Sequence, residues 1–270
     1  EEEERLDSEK KDLEKTLGSK PRLKTLLKNE LQSDIEIYGD DRKSPIVSRE
    51  EASAFDETEL ISSDPVTVIL SKRGWVRVAK GHDVEAESLN YREGDGFFTS
   101  VKCRNNQNAV FFDSKGKAYT LPCHSLPSAR GQGEPLTGRL NAESGETFAG
   151  VVTGPLESKV VLATSEGYGF VANLGDLQTK NKSGKAVLKV SEGAKVLPPQ
   201  LVSSSEDRIA AISNMGKLLV FPVSELPELS RGKGNKIMGI PKPKFQSGEE
   251  LLSFIAVIQE GTNLKLINGK

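Results

Sequence analysis

Three glycine-rich loops carry the cations that could do chemistry in this sequence. They read "ARGQGEPLTG", "KNKSGKAVL" and "SRGKGNKIMGI". Lysine and arginine side chains that neutralise phosphates release counterions, and glycine lets backbone N–H groups approach the same phosphates. The loops therefore predict a site for a polyanion. A single loop of this composition is more often a solvated turn, and for each loop taken alone that alternative stays open.

The predicted contacts to the polyanion lie in these loops and near the first strand-rich segment of the chain. They are Lys72, Arg73, Arg77, Lys80, Arg130, Lys180, Lys182, Lys185, Arg231, Lys233 and Lys236. Reversing Arg231 and Lys233 to Glu is expected to weaken binding without unfolding the chain, because changes in exposed loops usually alter stability by only about ±0.5 kcal/mol.

Other residue types that could support catalysis or metal binding form no recognisable centre. His82, His124, Cys103 and Cys123 lack the spacing of zinc ligands, and the acidic residues form no recurrent pair of the kind that a propeller hydrolase needs. Two cysteines without a Cys-x-x-Cys pair indicate a reducing compartment. Trp75 begins a predicted strand and is expected to pack in the core or between blades.

Repeated β-hairpins are predicted to position the cationic loops. Five segments after residue 65 share a β-rich run, a polar turn with glycine and a second β-rich run. Their turns are anchored at Gly74, Gly116, Gly167, Gly216 and Gly261, which are 42, 51, 49 and 45 residues apart. Short hairpin turns commonly need a residue at positive φ, and a period of about 40–50 residues is typical of a radial β array. The sequence therefore predicts a mainly β fold of five blades over residues 65–270.

The cationic loops recur at a fixed place in this repeat. Each follows the anchoring glycine of its own repeat by 15 to 18 residues, as Gly133, Gly184 and Gly234 show. A closed array would therefore place the cations along one curved rim.

The first part of the chain differs in charge and in periodicity. Residues 1–64 carry 11 Lys and Arg against 19 Asp and Glu, whereas residues 65–270 carry 26 against 20, so the net charges are −8 and +6. Leucines at helical spacing predict two helices within residues 1–41, one ending at Gly18 and one ending near Gly39. Residues 42–64 are predicted to be an acidic linker with one short strand at residues 45–47.

Length and hydrophobic patterning set the remaining bounds. The 270 residues are 36% hydrophobic, enough for a core, and no apolar run approaches the roughly 18 residues of a membrane span. We expect a soluble protein. The chain begins with "EEEER" and not with methionine, which indicates a piece of something longer.

Specific motifs resemble one family. "RGWVRVAKGHD", "LPSARGQGEPLTG" and "FPVSELPELSRGKGNKI" resemble the C-terminal domain of the A subunit (ParC) of bacterial topoisomerase IV, a type IIA topoisomerase. The N-terminal helical residues resemble the segment that leaves the coiled coil of these A subunits. The resemblance covers essentially the whole chain. It implies a β-pinwheel, whose blades exchange strands and whose basic outer edge binds and bends duplex DNA.

The resemblance also implies an enzyme around this domain. In the family, two A and two B subunits use ATP and Mg²⁺ to pass one duplex through another, which unlinks and relaxes DNA during chromosome segregation. This chain is expected to be non-catalytic, without cofactor or small-molecule substrate, because none of its tyrosines lies in the family's nucleophile context. The implied location is the bacterial cytoplasm, on the nucleoid, with peripheral association at the inner membrane in the holoenzyme.

Two alternatives stay open. The C-terminal domain of the gyrase A protein wraps DNA and carries a Gln-Arg-Arg-Gly-Gly-Lys-Gly box in its first blade, whereas the first repeat here reads "WVRVAKGHDVEAESLNYREGDG". The first blade offers only Lys72, Arg73, Arg77 and Lys80 near its hairpin, and the glycine-rich cationic loops are expected to begin in the second blade. The cationic arc is therefore expected to be interrupted at the first blade, which favours an enzyme that does not introduce negative supercoils. A propeller that binds a protein partner is the alternative from a different class, and salt-insensitive binding would favour it.

Overall fold

The computed structural model describes residues 1–40, 44, 61–142, 145–259, 261–262 and 264–265. The chain divides into two compact units, Glu1–Ala54 and Phe55–Lys270. Most of the predicted acidic linker, including its strand at residues 45–47, lies outside the described residues.

The first unit contains the two predicted helices. Helix α1 covers Glu2–Leu17, and helix α2 covers Lys20–Tyr38 with proline in its first turn. The N–H of Gly18 donates to the Glu14 carbonyl at 2.9 Å, which closes the last turn of α1. No residue of either helix is buried in this unit. None of the described helices has the length and apolarity of a membrane-spanning helix.

The second unit contains four antiparallel sheets, which we call blades 1 to 4. Blade 1 has the strand order β3 (Phe97–Arg104), β1 (Pro65–Ser71), β2 (Trp75–Lys80), β6 (Glu134–Pro135). Blade 2 has the order β10 (Lys185–Ala186), β5 (Lys117–Pro122), β4 (Asn108–Asp113), β7 (Phe148–Thr153). Blade 3 has the order β11 (Gln200–Val202), β8 (Lys159–Ala163), β9 (Tyr168–Asn173), β14 (Asn235–Lys236). Blade 4 has the order β13 (Leu218–Pro222), β12 (Arg208–Ser213), β15 (Leu252–Ile258).

Each blade is built on one of the predicted hairpins. The hairpin glycines Gly74, Gly116, Gly167 and Gly216 have φ of 77°, 83°, 87° and 78°, as the sequence predicts for these turns. Short helices follow β9 and β14, namely α3 (Leu174–Leu177) and α4 (Lys242–Gln246).

Hydrophobic cores lie between consecutive blades. Phe111 and Phe112 are neighbours on β4 and both are fully buried, but they point to opposite faces of blade 2. Phe111 belongs to a cluster shared with blade 1, and Phe112 belongs to one shared with blade 3. Val161 and Ile209 belong to a further cluster that joins blades 3 and 4. Because both faces of blades 2 and 3 are covered, their central strands read as continuous apolar runs.

The prediction of five blades is wrong for the described residues, which form four sheets. The β-rich run before Gly261 is β15, which pairs with β12 as the third strand of blade 4 and not as the first strand of a new hairpin. The N–H of Thr262 donates to the Gln259 carbonyl at 3.1 Å, as that of Gln107 donates to Arg104 at 3.0 Å in the turn between blades 1 and 2. Gly261 therefore lies in a turn that leaves a blade. Both kinds of turn are polar and flanked by β-rich runs, so composition did not distinguish them.

Candidate nucleic-acid interface

Strand exchange places the three cationic loops. We call residues 129–133, 180–184 and 230–234 exchange loops 1, 2 and 3. Each leads into a two-residue strand that pairs with the hairpin of the preceding repeat, so β6 joins β2, β10 joins β5 and β14 joins β9. Loop 1 therefore lies on blade 1, loop 2 on blade 2 and loop 3 on blade 3. The expectation that the first blade lacks a glycine-rich loop is wrong, because the second repeat supplies one.

Glycine is required where each loop crosses to its neighbour. Gly133, Gly184 and Gly234 have φ of 87°, 74° and 76°. A Cβ atom at these positions would lie 2.5 Å from the Val76 carbonyl oxygen, 2.7 Å from the Tyr119 ring and 2.0 Å from the Gly169 carbonyl oxygen, respectively. The recurrent glycine thus permits both the backbone conformation and the close approach of the two blades.

Backbone hydrogen bonds join the exchange loops in series. The N–H of Asn141, which follows loop 1 and β6, donates to the Lys182 carbonyl of loop 2 at 2.9 Å. The N–H of Lys189, which follows loop 2 and β10, donates to the Gly232 carbonyl of loop 3 at 2.8 Å. The N–H of Gly232 in turn donates to Val187 at 2.9 Å. The three loops therefore form one connected edge, which we call the exchange-loop rim.

Most of the predicted contact residues are exposed. One group lies in the exchange loops or in the strands β10 and β14 that follow them. The other group lies in the β1–β2 turn or at the end of β2. The exposed members are Lys72, Arg73, Lys80, Arg130, Lys180, Lys182, Lys185, Arg231 and Lys236. The ammonium of Lys185 donates to the Asp176 carbonyl at 2.6 Å, so this side chain is partly held against blade 3.

Lys233 is half-buried and has partners within the protein. Its Nζ lies 2.9 Å from a carboxylate oxygen of Glu166 and 4.0 Å from the centre of the Tyr168 ring. Burial alone would raise the pKa of Glu166, but hydrogen bonds from Ser191 and Lys233 and the charges of Lys233 and Lys242 hold it below its ordinary value. Glu166 therefore stays ionised and neutralises part of the Lys233 charge. Lys236 lies 5.9 Å from the same ring.

Arg77 requires a correction, because its side chain is not at the surface. Only 4% of the residue is exposed, and its Nη1 donates to the carbonyls of Asn90 at 2.9 Å and Gly131 at 3.1 Å. The guanidinium also lies 4.5 Å from the centre of the Tyr91 ring. Arg77 lies in the middle of β2, where it joins loop 1 to the connection between β2 and β3. It is a structural residue and not a contact for a polyanion.

Arg92 is an exposed cation beside loop 1 that is not among the predicted contacts. The guanidinium of Arg92 lies 4.1 Å from the centre of the Trp75 ring, and its Nε donates to the side-chain oxygen of Gln132 in loop 1 at 3.3 Å. Arg92 follows Gly74 by 18 residues, the same offset at which Gly234 follows Gly216. That offset was the signal that could have found it. Trp75 is only half-buried and faces this cation.

The cysteines and histidines do not assemble a metal site in the described ranges. No three His, Cys, Asp or Glu side chains there come close enough to hold a metal ion. The sulfurs of Cys103 and Cys123 lie 3.5 Å apart and are buried between blades 1 and 2. His82 Nε2 lies 2.9 Å from the Cys103 carbonyl oxygen. Cys103, Cys123 and His82 thus contact other groups within the fold, whereas His124 is exposed.

Comparison with known proteins identifies relatives of the chain. The family model described as "DNA gyrase C-terminal domain, beta-propeller" matches residues 110–153, 158–203 and 207–258. The A subunit of DNA topoisomerase 4 from Pseudomonas aeruginosa is 52% identical over 270 residues, covering 100% of this chain and 36% of that protein. Its Escherichia coli K12 counterpart is 45% identical over 265 residues, covering 98% and 35%. The chain thus spans about a third of the length of these relatives.

Solved structures agree with the sequence relatives. The structure of the E. coli ParC C-terminal domain is 46% identical, with a TM-score of 0.67 over 73% of this chain and 80% of that one. A structure of the DNA gyrase A C-terminal domain, 16% identical, has a TM-score of 0.54 over 73% and 66% and shows the shared fold alone. The identities, the family match and the propeller-like set of small antiparallel sheets agree. The chain belongs to the family of topoisomerase IV A subunits and corresponds to their C-terminal, pinwheel-like region.

Proposed function

We propose that the exchange-loop rim binds duplex DNA without regard to sequence and bends it. The observation that carries this proposal is the series of hydrogen bonds that joins loops 1, 2 and 3 through Asn141–Lys182 and Lys189–Gly232. A connected edge with recurrent cations supports one continuous track for a phosphate backbone, whereas unconnected loops would form separate patches. Phosphate contacts of this kind fix position and carry no sequence information directly.

The charge of the rim supports a multi-phosphate contact. Six exposed cations lie in the exchange loops or in the strands that follow them: Arg130, Lys180, Lys182, Lys185, Arg231 and Lys236. If about four to six phosphates are neutralised, binding has a large electrostatic component. Smooth bending of a short duplex costs on the order of 1–6 kcal/mol, and contacts on successive blades can offset that cost.

Two unrelated duplexes of equal length test this function. The chain is titrated into each duplex labelled at both ends, with anisotropy reporting binding and energy transfer reporting the end-to-end distance. We expect equal affinities and increased transfer in the complex. Binding of only one of the two duplexes would contradict sequence-independent binding. Binding without any change in energy transfer would contradict bending.

Within the full enzyme, we propose that this region is non-catalytic and presents DNA to the catalytic core. The core acts with a B subunit in an assembly of two A and two B subunits, which supplies ATP and Mg²⁺ chemistry. Its products are unlinked and relaxed DNA during chromosome segregation on the bacterial nucleoid. The homology to topoisomerase IV A subunits supports this assignment.

The rim is weakest in charge at blade 1, which bears on the enzyme's products. Loop 1 carries Arg130 as its only cation, and the adjacent Glu134 is paired with Arg139 at 2.8 Å. We propose that DNA is held and bent but not fully wrapped, so the enzyme relaxes and unlinks DNA without introducing negative supercoils. Relaxed plasmid incubated with holoenzyme and ATP should therefore stay free of negative supercoils. Their strong accumulation would support the gyrase alternative.

A further inference from the structure

Two aromatic rings occupy the same structural place in blades 1 and 3. Trp75 and Tyr168 each begin the second strand of a hairpin, directly after Gly74 and Gly167, and each pairs with an exchanged strand, Trp75 with β6 and Tyr168 with β14. Each ring also carries a cation. Arg92 lies 4.1 Å from the centre of the Trp75 ring, and Lys233 lies 4.0 Å from that of Tyr168.

The two cations come from different parts of the chain. Lys233 directly precedes the crossing glycine Gly234 in loop 3, whereas the residue before Gly133 in loop 1 is the uncharged Gln132. Arg92 comes instead from the connection between β2 and β3, and its Nε donates to Gln132 at 3.3 Å. The guanidinium of Arg92 thus lies where loop 1 would otherwise present a cation.

Several contacts hold the connection that bears Arg92 against loop 1. Buried Arg77 donates to the carbonyl of Asn90 in the connection and to that of Gly131 in loop 1, and so joins the two. Tyr91, beside Arg92, donates its hydroxyl to the Ala86 carbonyl at 2.5 Å. The backbone carbonyl of Arg92 accepts from the N–H of Asp95 at 2.9 Å. These contacts hold the backbone of the connection at Arg92 beside loop 1.

We infer that Arg92 is a DNA-phosphate contact on blade 1, stacked on Trp75 and supplying the cation that loop 1 lacks directly before its crossing glycine, Gly133. The inference rests on the proposed function and names a residue outside the three exchange loops. Arg92 is exposed, and among the described residues no carboxylate forms a salt bridge with it, whereas Lys233 is paired with Glu166. A guanidinium presents two parallel N–H donors that match two phosphate oxygens, and stacking reduces the freedom it loses on binding.

The test compares Arg92→Gln with Arg22→Gln, which removes an exposed arginine from helix α2, in the full chain. Affinity for a short duplex is measured at several salt concentrations. Arg92→Gln should weaken binding about fivefold near 0.15 M salt and reduce the magnitude of the log–log salt slope by about 0.9, the effect of one lost phosphate contact. Arg22→Gln should match the unaltered chain.

Trp75 is the only tryptophan, so its fluorescence reports this site directly. DNA should change the emission of the unaltered chain, and Arg92→Gln should reduce that change. If Arg92→Gln also changes emission without DNA, Arg92→Lys decides the matter, because it keeps one charge and should restore the salt slope. An Arg92→Gln chain that keeps the unaltered affinity and slope overturns the inference.

The same measurements on Lys182→Gln with Arg231→Gln separate the two proposals. If this loop variant loses affinity and Arg92→Gln does not, the rim function stands and the Arg92 inference is wrong. If neither variant loses affinity, the rim function itself is wrong.

Discussion

The backbone N–H of Asn141 donates a hydrogen bond to the Lys182 carbonyl at 2.9 Å, and this bond joins the segment after exchange loop 1 to exchange loop 2. Lys189 and Gly232 repeat the relationship one blade further on, at 2.8 Å. The loops are therefore not independent surface turns. A substitution that displaces the backbone of one loop should also displace the next loop through these hydrogen bonds. A change of charge in an exposed loop side chain should not.

The close approach of loop 3 to strand β9 is tested by Gly234→Ala. Gly234 and Gly193 have nearly equal φ, 76° and 77°, but a Cβ at Gly234 would lie 2.0 Å from the Gly169 carbonyl oxygen, and one at Gly193 would meet nothing within 4 Å. Gly193→Ala is the matched control and should cost about 1–2 kcal/mol for the backbone conformation alone. Gly234→Ala should cost clearly more in thermal unfolding. Equal losses would show that the crossing tolerates a side chain.

Charge on the rim is tested by Lys182→Glu with Arg231→Glu. Both side chains are exposed, so the variant should stay folded while its affinity for duplex DNA falls more than tenfold, as expected when several phosphate contacts are lost and repulsion is added. Lys24→Glu with Lys28→Glu makes the same change of net charge in helix α2 of the first unit. Equal weakening in both variants would indicate an effect of net charge and not of the rim.

Lys233 is a poorer choice for charge reversal than the sequence suggested. Its ammonium is 2.9 Å from Glu166, so Lys233→Glu would bring two carboxylates together. We expect Lys233→Glu to lower the unfolding temperature, in addition to any effect on DNA binding, and Lys182→Glu to leave it nearly unchanged. Similar unfolding temperatures for the two variants would contradict the importance of the Glu166 contact.

Arg77 should behave as a structural residue. Arg77→Met deprives the carbonyls of Asn90 and Gly131 of a buried donor, which should cost about 1–3 kcal/mol of stability in denaturant unfolding. Any fall in the salt slope of DNA binding should come only together with this loss of stability, because Arg77 also holds the connection that bears Arg92. A lower slope without loss of stability would instead restore Arg77 as a phosphate contact.

A buried carboxyl pair in blade 2 predicts a pH dependence of stability. Burial raises the pKa of Asp113, the neighbouring Glu146 adds to the increase, and hydrogen bonds from the Lys117 N–H and the Tyr119 hydroxyl oppose it. A raised pKa in the folded state gives a contribution that is complete below the unfolded pKa and is lost as pH rises through the folded one. Asp113→Asn should therefore gain stability relative to the unaltered chain as pH rises through that range. A constant difference between them would contradict this.

Much of the fold follows from patterns that are local in sequence. The β-rich runs on either side of Gly74, Gly116, Gly167 and Gly216 predict the hairpins. The constant offset of the glycine-rich loops from these glycines predicts that the loops occupy equivalent places in successive repeats. Strand exchange was implied only by the resemblance. Pairing of β6 with β2 joins residues about 60 apart, and a strand of two residues is too short to show a hydrophobic pattern. For the same reason the sequence assigned loop 1 to the wrong blade.

Some site residues could likewise be predicted from local sequence, and others could not. Exposure of Lys182 and Arg231 follows from their place in glycine-rich loops, whereas burial of Arg77 depends on the connection that covers β2, which no local pattern reveals. The contact of Arg92 with Trp75 joins two residues 17 apart in sequence through a connection whose path is set by its packing.

The salt dependence of duplex binding tests the central claim most directly. The chain's affinity for one short duplex is measured over a range of salt concentrations, with neutralisation of about four to six phosphates expected along the rim. The logarithm of the binding constant should then fall against the logarithm of salt concentration with a slope of roughly −4 to −5. A slope near zero would contradict the claim that the exchange-loop rim is a DNA-binding track and would favour a propeller that binds a protein partner.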